Sequence, residues 1–210
     1  MTRSDQSIRK GRINMTFNQM IKLALVVVYS AVAIPVCAAE PIASFSKLSK
    51  EADIIFTPPA ELEEIAVVPM PFFPFEKAYK HKKAKLEIRY AIRPLSRISI
   101  DFTDPHGLTP APGTVFPLVL TALIGQFAQH ADAPKHEYIP EQAKSLFNAD
   151  WAAASQFKAS PKAKSEYKYA LLLAIHKDKR GDAYTMFLFD DPKAVKATIN
   201  KIVNTMRFAS

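Results

Sequence analysis

The sequence predicts an α+β fold in which a mostly antiparallel sheet has helices on both faces, forming an α/β/α sandwich. Residues 86–93 alternate between apolar side chains and polar or small ones, which is the period of a strand. Two apolar runs, Tyr167–Lys177 and Ala183–Phe189, are joined by a turn and are apolar on both faces, so layers above and below the sheet must cover them. A long apolar stretch, Thr114–His130, predicts a largely buried helix.

The first 39 residues have the order of a secretory signal. A basic stretch precedes an apolar run, Leu23–Val36, and the small residues Ala38 and Ala39 follow it. Because that run is shorter than the ~20 residues of a membrane span, we predict cleavage after Ala38 or Ala39 and a periplasmic or secreted protein. An uncleaved N-terminal anchor is the alternative, and Met15 is a second candidate start.

Cys37 is the only cysteine of the chain. Cleavage after Ala38 or Ala39 removes it, and the mature chain then has no disulfide and no thiol chemistry. The alternative is a lipoprotein with lipid on Cys37, although Pro35 and Val36 stand where small residues are expected before a lipidated cysteine.

Length and charge favour one globular domain that is only mildly basic. A chain of 210 residues is within the size range of one or two domains, and one is the default. The formal net charge is +8, but the first 39 residues contain five basic groups and one acid, so residues 40–210 carry +4. That charge is well below the dense basic stripe of a nucleic-acid-binding protein.

A proline-rich segment, residues 40–75, precedes the main α+β domain, residues 76–210. Proline stops helices and removes backbone donors, so we expect only two short strands here, near Asp53–Thr57 and Leu62–Val68. The stretch Met70–Tyr79 places three phenylalanines among prolines and is expected to pack on the main domain as an irregular covering. The prolines of the segment are Pro41, Pro58, Pro59, Pro69, Pro71 and Pro74.

The first half of the main domain predicts a strand followed by two helices. The strand at Lys85–Pro94 is expected to continue, or to bend into a second strand, through residues 98–102. The helix predicted at Thr114–His130 tolerates Pro117, because proline is accepted in a first turn. A polar loop follows, and a short helix begins near Pro140.

The last third of the chain has the clearest pattern. Trp151–Phe157 is predicted as a strand, and the turn between the two apolar runs places Gly181 where a positive φ is needed. Asp190 or Asp191 is expected to cap a final amphipathic helix with Pro192 in its first turn. The apolar positions of that helix are Val195, Ile199, Ile202, Val203 and Met206.

The strings FNADWAAASQF, HKDKRGDAYTMFLFDD and the final MRF resemble a group of uncharacterised exported bacterial proteins, whose architecture is similar to the PsbP-like α/β/α sandwich. The resemblance is clearest over residues 146–208 and extends more loosely to LEIRYAIRPL. It implies the sandwich fold, which is used mostly for binding and assembly rather than catalysis. Since a fold does not fix a function, this support for a binding role is analogy.

One loop cluster has metal-ligating residue types. His130, Asp132 and His136 lie close in sequence, and imidazole and carboxylate groups at short spacing can ligate zinc. The alternative is a solvated polar loop, because a metal site needs further ligands and a second shell. A similar group within residues 101–106 is explained by Asp-Pro and Gly turn chemistry.

His176 stands where the first apolar run reaches its turn. Across the hairpin it could face Asp182 and become a polarised general base, which would suit a hydrolase. The alternative is a histidine that pins the turn through hydrogen bonds. We favour that alternative because no cysteine remains after cleavage and no Gly-x-Ser-x-Gly motif occurs, so we assign no catalytic residue.

Glu87, Arg89 and Arg93 share the polar face of the predicted strand and are our ligand-binding candidates. Two arginines at strand spacing form a fork suited to a carboxylate or phosphate group. Internal salt bridging is the alternative, and we favour it. Trp151, the only tryptophan, is expected to anchor the core rather than to stack on a ligand.

A basic run precedes the same strand. It could contact anionic lipid head groups or an acidic partner, and a solvated turn is the alternative. The run consists of Lys77, Lys80, Lys82, Lys83 and Lys85 with His81.

Together these observations predict a non-enzymatic binding or assembly module of the bacterial cell envelope, with an envelope protein as its candidate partner. The alternative is a periplasmic protein that binds a small molecule or a metal ion, and a hydrolase ranks third. No cofactor and no nucleic-acid partner are expected. No transmembrane span is expected after signal cleavage, and contact with anionic surfaces is expected to be weak.

Overall fold

The computed structural model of the chain describes residues 44–98 and 112–210, and these residues belong to one compact unit. The predicted signal peptide, with Met15 and Cys37, lies outside the described residues. So do the strand continuation predicted through residues 99–102 and the polar group within residues 101–106.

The described residues form four α-helices and nine strands. The helices are α1 (Phe45–Glu51), α2 (Pro112–Phe127), α3 (Pro140–Phe147) and α4 (Pro192–Ile202). The strands are β1 (Ile54–Phe56), β2 (Leu62–Ile65), β3 (Lys77–His81), β4 (Leu86–Pro94), β5 (Lys135–Glu137), β6 (Trp151–Lys158), β7 (Tyr169–Lys177), β8 (Gly181–Phe189) and β9 (Met206–Phe208). None of the helices in this part of the chain combines the length and apolar character needed to cross a membrane.

Seven of the strands form one antiparallel sheet, in the order β2-β3-β4-β8-β7-β6-β5. Its centre is the trio β4, β8 and β7, in which β4 pairs with β8 from Leu86↔Phe189 to Pro94↔Gly181. Strands β1 and β9 form a separate antiparallel pair. The predicted α+β class and mostly antiparallel sheet are therefore confirmed.

Both faces of the sheet are covered, as the apolar runs predict. On one face α1, α3 and α4 pack through residues that include Leu48, Phe147 and Ile199. On the other face α2 packs through Phe116, together with Phe75 of the proline-rich segment. Every residue of β8 is buried, since this central strand has apolar neighbours above and below it.

The long elements follow their sequence patterns closely. Helix α2 begins two residues before the predicted start and ends three before the predicted end. Asp191 rather than Asp190 caps α4, because its carboxylate accepts hydrogen bonds from Lys193 N at 2.8 Å and Ala194 N at 3.3 Å. Strand β4 ends at Pro94 in a 3₁₀ turn, Leu95–Arg97.

Two short elements correct the prediction: helix α1 lies within the proline-rich segment, residues 40–75, and strand β3 lies just after it. Helix α1 forms in a proline-free stretch, where the Ser44 side chain accepts a hydrogen bond from Lys47 N at 3.3 Å. Strand β3 forms within the basic run that was predicted as a turn or a binding patch. Its Ala78 and Tyr79 are buried, and its lysines concealed the strand pattern.

Two more short strands were missed further along the chain. Strand β5 lies in the predicted polar loop, where all three residues are exposed, so no apolar alternation marks it. Met206 was predicted on the final helix, but that helix ends at Ile202 and Met206 begins β9. The pairing of β9 with β1 joins chain segments that are distant in sequence, which local periodicity does not reveal.

Candidate functional site

Arg89 is a buried structural cation. Its side chain is 1% exposed, and its Nε donates to Glu87 Oε1 at 2.6 Å. Its Nη1 donates to Ala163 O at 2.7 Å and contacts Met70 Sδ at 3.5 Å, while Nη2 donates to Lys164 O at 3.0 Å. The guanidinium therefore holds the loop at Lys164 and the proline-rich segment at Met70 against β4.

Arg93 ties the same segment to the same strand. Its Nη1 donates to Glu76 Oε1 at 2.7 Å, and its Nη2 donates to Pro74 O. Its guanidinium lies 4.3 Å from the centre of the Phe73 ring, a cation–π contact. Burial raises the pKa of Glu76 above its ordinary value, against the opposing charge of Arg93.

The two arginines predicted to form a fork for an external anion are instead engaged inside the protein: the Arg89 side chain is buried, and Arg93, which is 24% exposed, is paired with Glu76. Glu87, Arg89 and Arg93 make internal salt bridges and backbone contacts, which was the alternative interpretation. No buried side-chain nitrogen or oxygen in the described residues lacks a hydrogen-bond partner. The three residues position the proline-rich segment, and that segment forms the wall of a cavity.

The cavity has a volume of about 470 Å³ and an apolar lining. Its walls come from the start of α1 and from the proline-rich segment between β2 and β3. The apolar side chains that line it include Phe45, Val67, Val68, Met70 and Phe75, with Pro69, Pro71 and Pro74. The stretch between β2 and β3 forms no helix or strand and bends at residues 71–73, and its prolines cannot donate backbone hydrogen bonds to a neighbouring strand.

Two ionisable side chains, Glu76 and Lys164, also line the cavity. The Glu76 side chain is 3% exposed and accepts from Arg93 and from Ile92 N at 3.0 Å. Lys164 is exposed, and its Nζ donates to Pro69 O at 2.7 Å. No carboxylate of the described residues forms an ion pair with Lys164.

His176 lies in a polar row on the same sheet face as α2. Direct cross-strand pairing places Trp151, His176, Asp182 and Arg93 side by side on β6, β7, β8 and β4. The His176 Nδ1 is 2.7 Å from Asp182 Oδ1, and its ring stacks on Phe116 with 5.1 Å between ring centres. The predicted approach of His176 to Asp182 is therefore observed.

The second nitrogen of His176 also has a carboxylate partner. Its Nε2 is 3.1 Å from Asp178 Oδ1, and Tyr184 donates from its hydroxyl to Asp182 Oδ2 at 3.3 Å. Burial opposes protonation of His176, but the hydrogen bonds and charges of Asp182 and Asp178 raise its pKa above the ordinary value. Burial and the nearby Asp182 raise the pKa of Tyr184. The arrangement pins the β7–β8 turn.

The structure does not bring His130, Asp132 and His136 together as metal ligands. All three are exposed, and His136 instead contacts the Tyr138 ring edge-on at 5.7 Å. His136 is fixed on β5 by pairing with β6, whereas the other two lie in the preceding turn. Within residues 44–98 and 112–210 no three His, Cys, Asp or Glu side chains are grouped so that they could hold a metal ion.

The basic run is largely paired with acids. Lys77, Lys80 and Lys82 contact Glu64, Glu166 and Glu63 at 2.6, 3.0 and 3.0 Å, and Lys85 contacts Asp190 at 3.6 Å. Contact with an anionic surface stays a prediction, and these acids reduce the charge available for it.

Trp151 is only partly buried, so it packs against the core from its edge and is not the buried anchor that the sequence predicts. Its ring meets Phe116 edge-on with 4.4 Å between ring centres.

Comparisons with protein-family models, with curated proteins and with solved structures found no match for this chain. The resemblance to the PsbP-like sandwich stays a prediction.

Sequence reasoning found the arginines and the histidine but missed the cavity. It did predict that the phenylalanine- and proline-rich stretch covers the main domain. Met70, Phe73 and Phe75 are buried as expected, whereas Phe72, the third phenylalanine, is 74% exposed. The available signal was the spacing of apolar residues among prolines at 67–75, in a stretch too irregular to complete a core by itself. Lys164 carried no signal, because it is one exposed lysine among many.

Proposed function

We propose that this protein is a non-enzymatic binding module of the bacterial cell envelope and that the apolar cavity is its binding site. The observation that carries the proposal is the cavity of about 470 Å³, walled by the proline-rich segment. Ligand pockets typically have volumes of about 300–1,000 Å³ and a mostly apolar lining with a few polar groups. Placement in the envelope rests on the signal-like residues 1–39.

The contacts that fix the cavity wall favour the interpretation of the cavity as a binding site over its interpretation as a packing defect. Arg89 and Arg93 bind Met70, Pro74 and Glu76, so buried charged groups fix the segment that encloses the space. Burying an arginine is costly unless all its partners are in place. A wall anchored this way keeps its shape when the cavity is empty, which lowers the cost of binding.

Binding is better supported than hydrolysis. Both ring nitrogens of His176 contact carboxylates, at 2.7 Å and 3.1 Å. A general base needs a free lone pair directed at the proton that it removes. The His176 cluster is thus arranged to hold a turn, whereas the cavity is arranged to receive apolar groups.

The test uses N-phenyl-1-naphthylamine, a neutral apolar probe whose fluorescence rises in apolar surroundings. We expect saturable binding of one probe per chain to the purified protein. In Val68→Asp a charge enters the cavity wall, so affinity should fall at least about tenfold, because burying an unpaired carboxylate is costly. Thermal melting would show that the variant is folded.

The matched control is Leu118→Asp, which places the same charge on the exposed face of α2, where Leu118 is 58% exposed. This variant should bind the probe as the natural protein does. The proposal fails if the natural protein shows no saturable binding. It also fails if folded Val68→Asp and Leu118→Asp bind the probe equally well.

A further inference from the structure

The charge around the cavity is unbalanced. Among the described residues Glu76 is the only acid that lines it, and its buried side chain is paired with Arg93. Lys164 is the only lysine or arginine in the lining, and no carboxylate of the described residues pairs with it. A ligand in the cavity therefore meets one uncompensated positive charge.

Lys164 is also held in place. It adopts the left-handed conformation, with φ 45°, at the end of a 3₁₀ turn, Pro161–Ala163. Its carbonyl and that of Ala163 both accept from the buried Arg89 guanidinium, at 3.0 and 2.7 Å. The Nζ is hydrogen-bonded to Pro69 O at 2.7 Å, so the ammonium lies at the cavity wall.

The ammonium retains hydrogen-bonding capacity in that position. An ammonium group has three donors, and one of them is used by Pro69 O, which leaves two for a ligand. A carboxylate or phosphate would accept from both as charge-assisted hydrogen bonds.

Apart from Ser44, the remainder of the lining is apolar and does not favour a small polar anion as the whole ligand. Phe45, Val67, Met70 and Phe75 offer apolar contact and no donors. Filling that space requires apolar groups, and each methylene removed from water adds to the affinity.

We propose that the cavity binds an anionic amphiphile, whose alkyl chain lies against the apolar wall and whose carboxylate or phosphate head binds Lys164 Nζ. The inference rests on the proposed function, since it names the ligand class of the same cavity. A fatty carboxylate and a phospholipid head group share this chemistry, and the test separates them.

The test measures, by isothermal titration calorimetry, the binding of four ligands that share a twelve-carbon chain, each below its micelle-forming concentration. The ligands are dodecanoate, dodecyl phosphate, dodecanol and dodecyltrimethylammonium. We expect at least one of the two anions to bind about tenfold or more tightly than dodecanol, and the cation to bind least. A preference for dodecanoate indicates a fatty acid, and a preference for dodecyl phosphate indicates a phospholipid.

Variants of two lysines in the same turn provide the control. Lys164→Gln should lose about tenfold in affinity for the anion and none for dodecanol, and Lys164→Arg should keep the anion preference. Lys162→Gln should change neither affinity, because Lys162 donates to Gln126 Oε1 at 3.0 Å and does not line the cavity.

The two proposals fail in different ways. If dodecanol binds as tightly as both anions, or if Lys164→Gln leaves the anion preference intact, the amphiphile inference is wrong and the apolar binding site stands. If none of the four ligands and no neutral probe binds the folded protein, both proposals are wrong.

Discussion

At the scale of single residues, the buried ion pair of Arg89 with Glu87 links the sheet to the proline-rich segment. Arg89 is 1% exposed on its side chain and Glu87 is 10% exposed, so water screens neither charge effectively. Arg89 also satisfies two carbonyls of the loop at Lys164. Removing this one side chain therefore leaves a carboxylate and two carbonyls without a partner.

We predict that Arg89→Met lowers the free energy of unfolding by about 3–5 kcal/mol, because it leaves Glu87 as a buried, unpaired charge. In the double variant Glu87→Leu, Arg89→Met that loss should shrink by at least about 1 kcal/mol, since the orphaned charge is gone. Urea denaturation measures both values.

Lys82→Met serves as the comparison for that pair. Lys82 and Glu63 are 60% and 65% exposed, so breaking their ion pair should cost less than about 1 kcal/mol. A double variant as unstable as Arg89→Met alone would show that the buried charge is not the source of the loss.

His176 makes stability depend on pH. Burial lowers its folded-state pKa, but Asp182 and Asp178 outweigh that effect and raise it. The other ionisable groups around Asp182 are Arg93, its neighbour in the row, and Tyr184, whose hydroxyl donates to it. The folded state therefore holds the proton more tightly than the unfolded state. The stabilisation is fully present below about pH 6.5 and is lost as the pH rises through the folded-state pKa.

We predict that His176→Gln lowers the free energy of unfolding, and that the loss is larger at about pH 5.5 than at about pH 8.5. Chemical denaturation at the two pH values measures the difference. His136→Gln, at an exposed histidine of β5, is the control for histidine loss as such. A difference that stays constant, or grows with pH, would contradict the role assigned to the two carboxylates.

Two glycines show that the effect of adding a methyl side chain depends on the position of the glycine. Gly181 begins β8 with φ +135°, and a Cβ there would collide with Arg93 O and lie 2.8 Å from Leu95 N. Gly125 is inside α2, where the nearest contact of a Cβ is Ala131 Cβ at an ordinary 4.0 Å. The same methyl group is therefore excluded at one position and accommodated at the other.

We predict that Gly181→Ala destabilises the protein by at least about 2 kcal/mol, since it combines backbone strain with a clash against β4. Gly125→Ala should stabilise it by about 0.5–1 kcal/mol, because alanine loses less chain entropy in a helix. Thermal denaturation of the two variants checks both signs. If Gly181→Ala and Gly125→Ala changed the stability equally, the close approach of β8 to β4 could not be the cause of the destabilisation expected at Gly181.

The apolar pattern of an element decided whether the sequence revealed it, since even the three-residue β1, Ile54–Phe56, was predicted from its apolar run. Strands β4, β7 and β8 each have nine residues, long enough for an alternating or continuous apolar pattern to stand out. Strands β5 and β9 have three residues each and are defined by their partners instead. Such strands form because a neighbouring strand offers free backbone groups, which is tertiary information.

At the scale of the whole molecule, two apolar layers enclose one sheet. Helix α2 and the end of the proline-rich segment, through Met70, Phe73 and Phe75, form one layer, and α1, α3 and α4 contribute to the other. The cavity lies where the irregular segment completes its layer. A helix at that position would fill the space with its own side chains, whereas a proline-rich chain leaves part of it open.

The signal-like residues 1–39 lead us to predict that the chain is exported and cleaved. The protein recovered from the bacterial envelope should then begin at Ala39 or Glu40. Its intact mass should match an unmodified chain from one of those residues, because Ala38 and Ala39 offer the small residues needed for cleavage. An added acyl mass on a chain that starts at Cys37, or an uncleaved chain, would contradict this.

The sequence by itself determined the α+β class, the long strands, the main helices and the need to cover both sheet faces. These follow from hydrophobic periodicity, which can be recognised from the neighbouring residues of each segment alone. Only the tertiary structure decided what Arg89 binds and where the cavity lies, because the carbonyls that Arg89 contacts are 74 and 75 residues away in the chain. A buried charged side chain requires hydrogen-bond or ion-pair partners, but which residues provide them depends on the distant segments that the fold brings together.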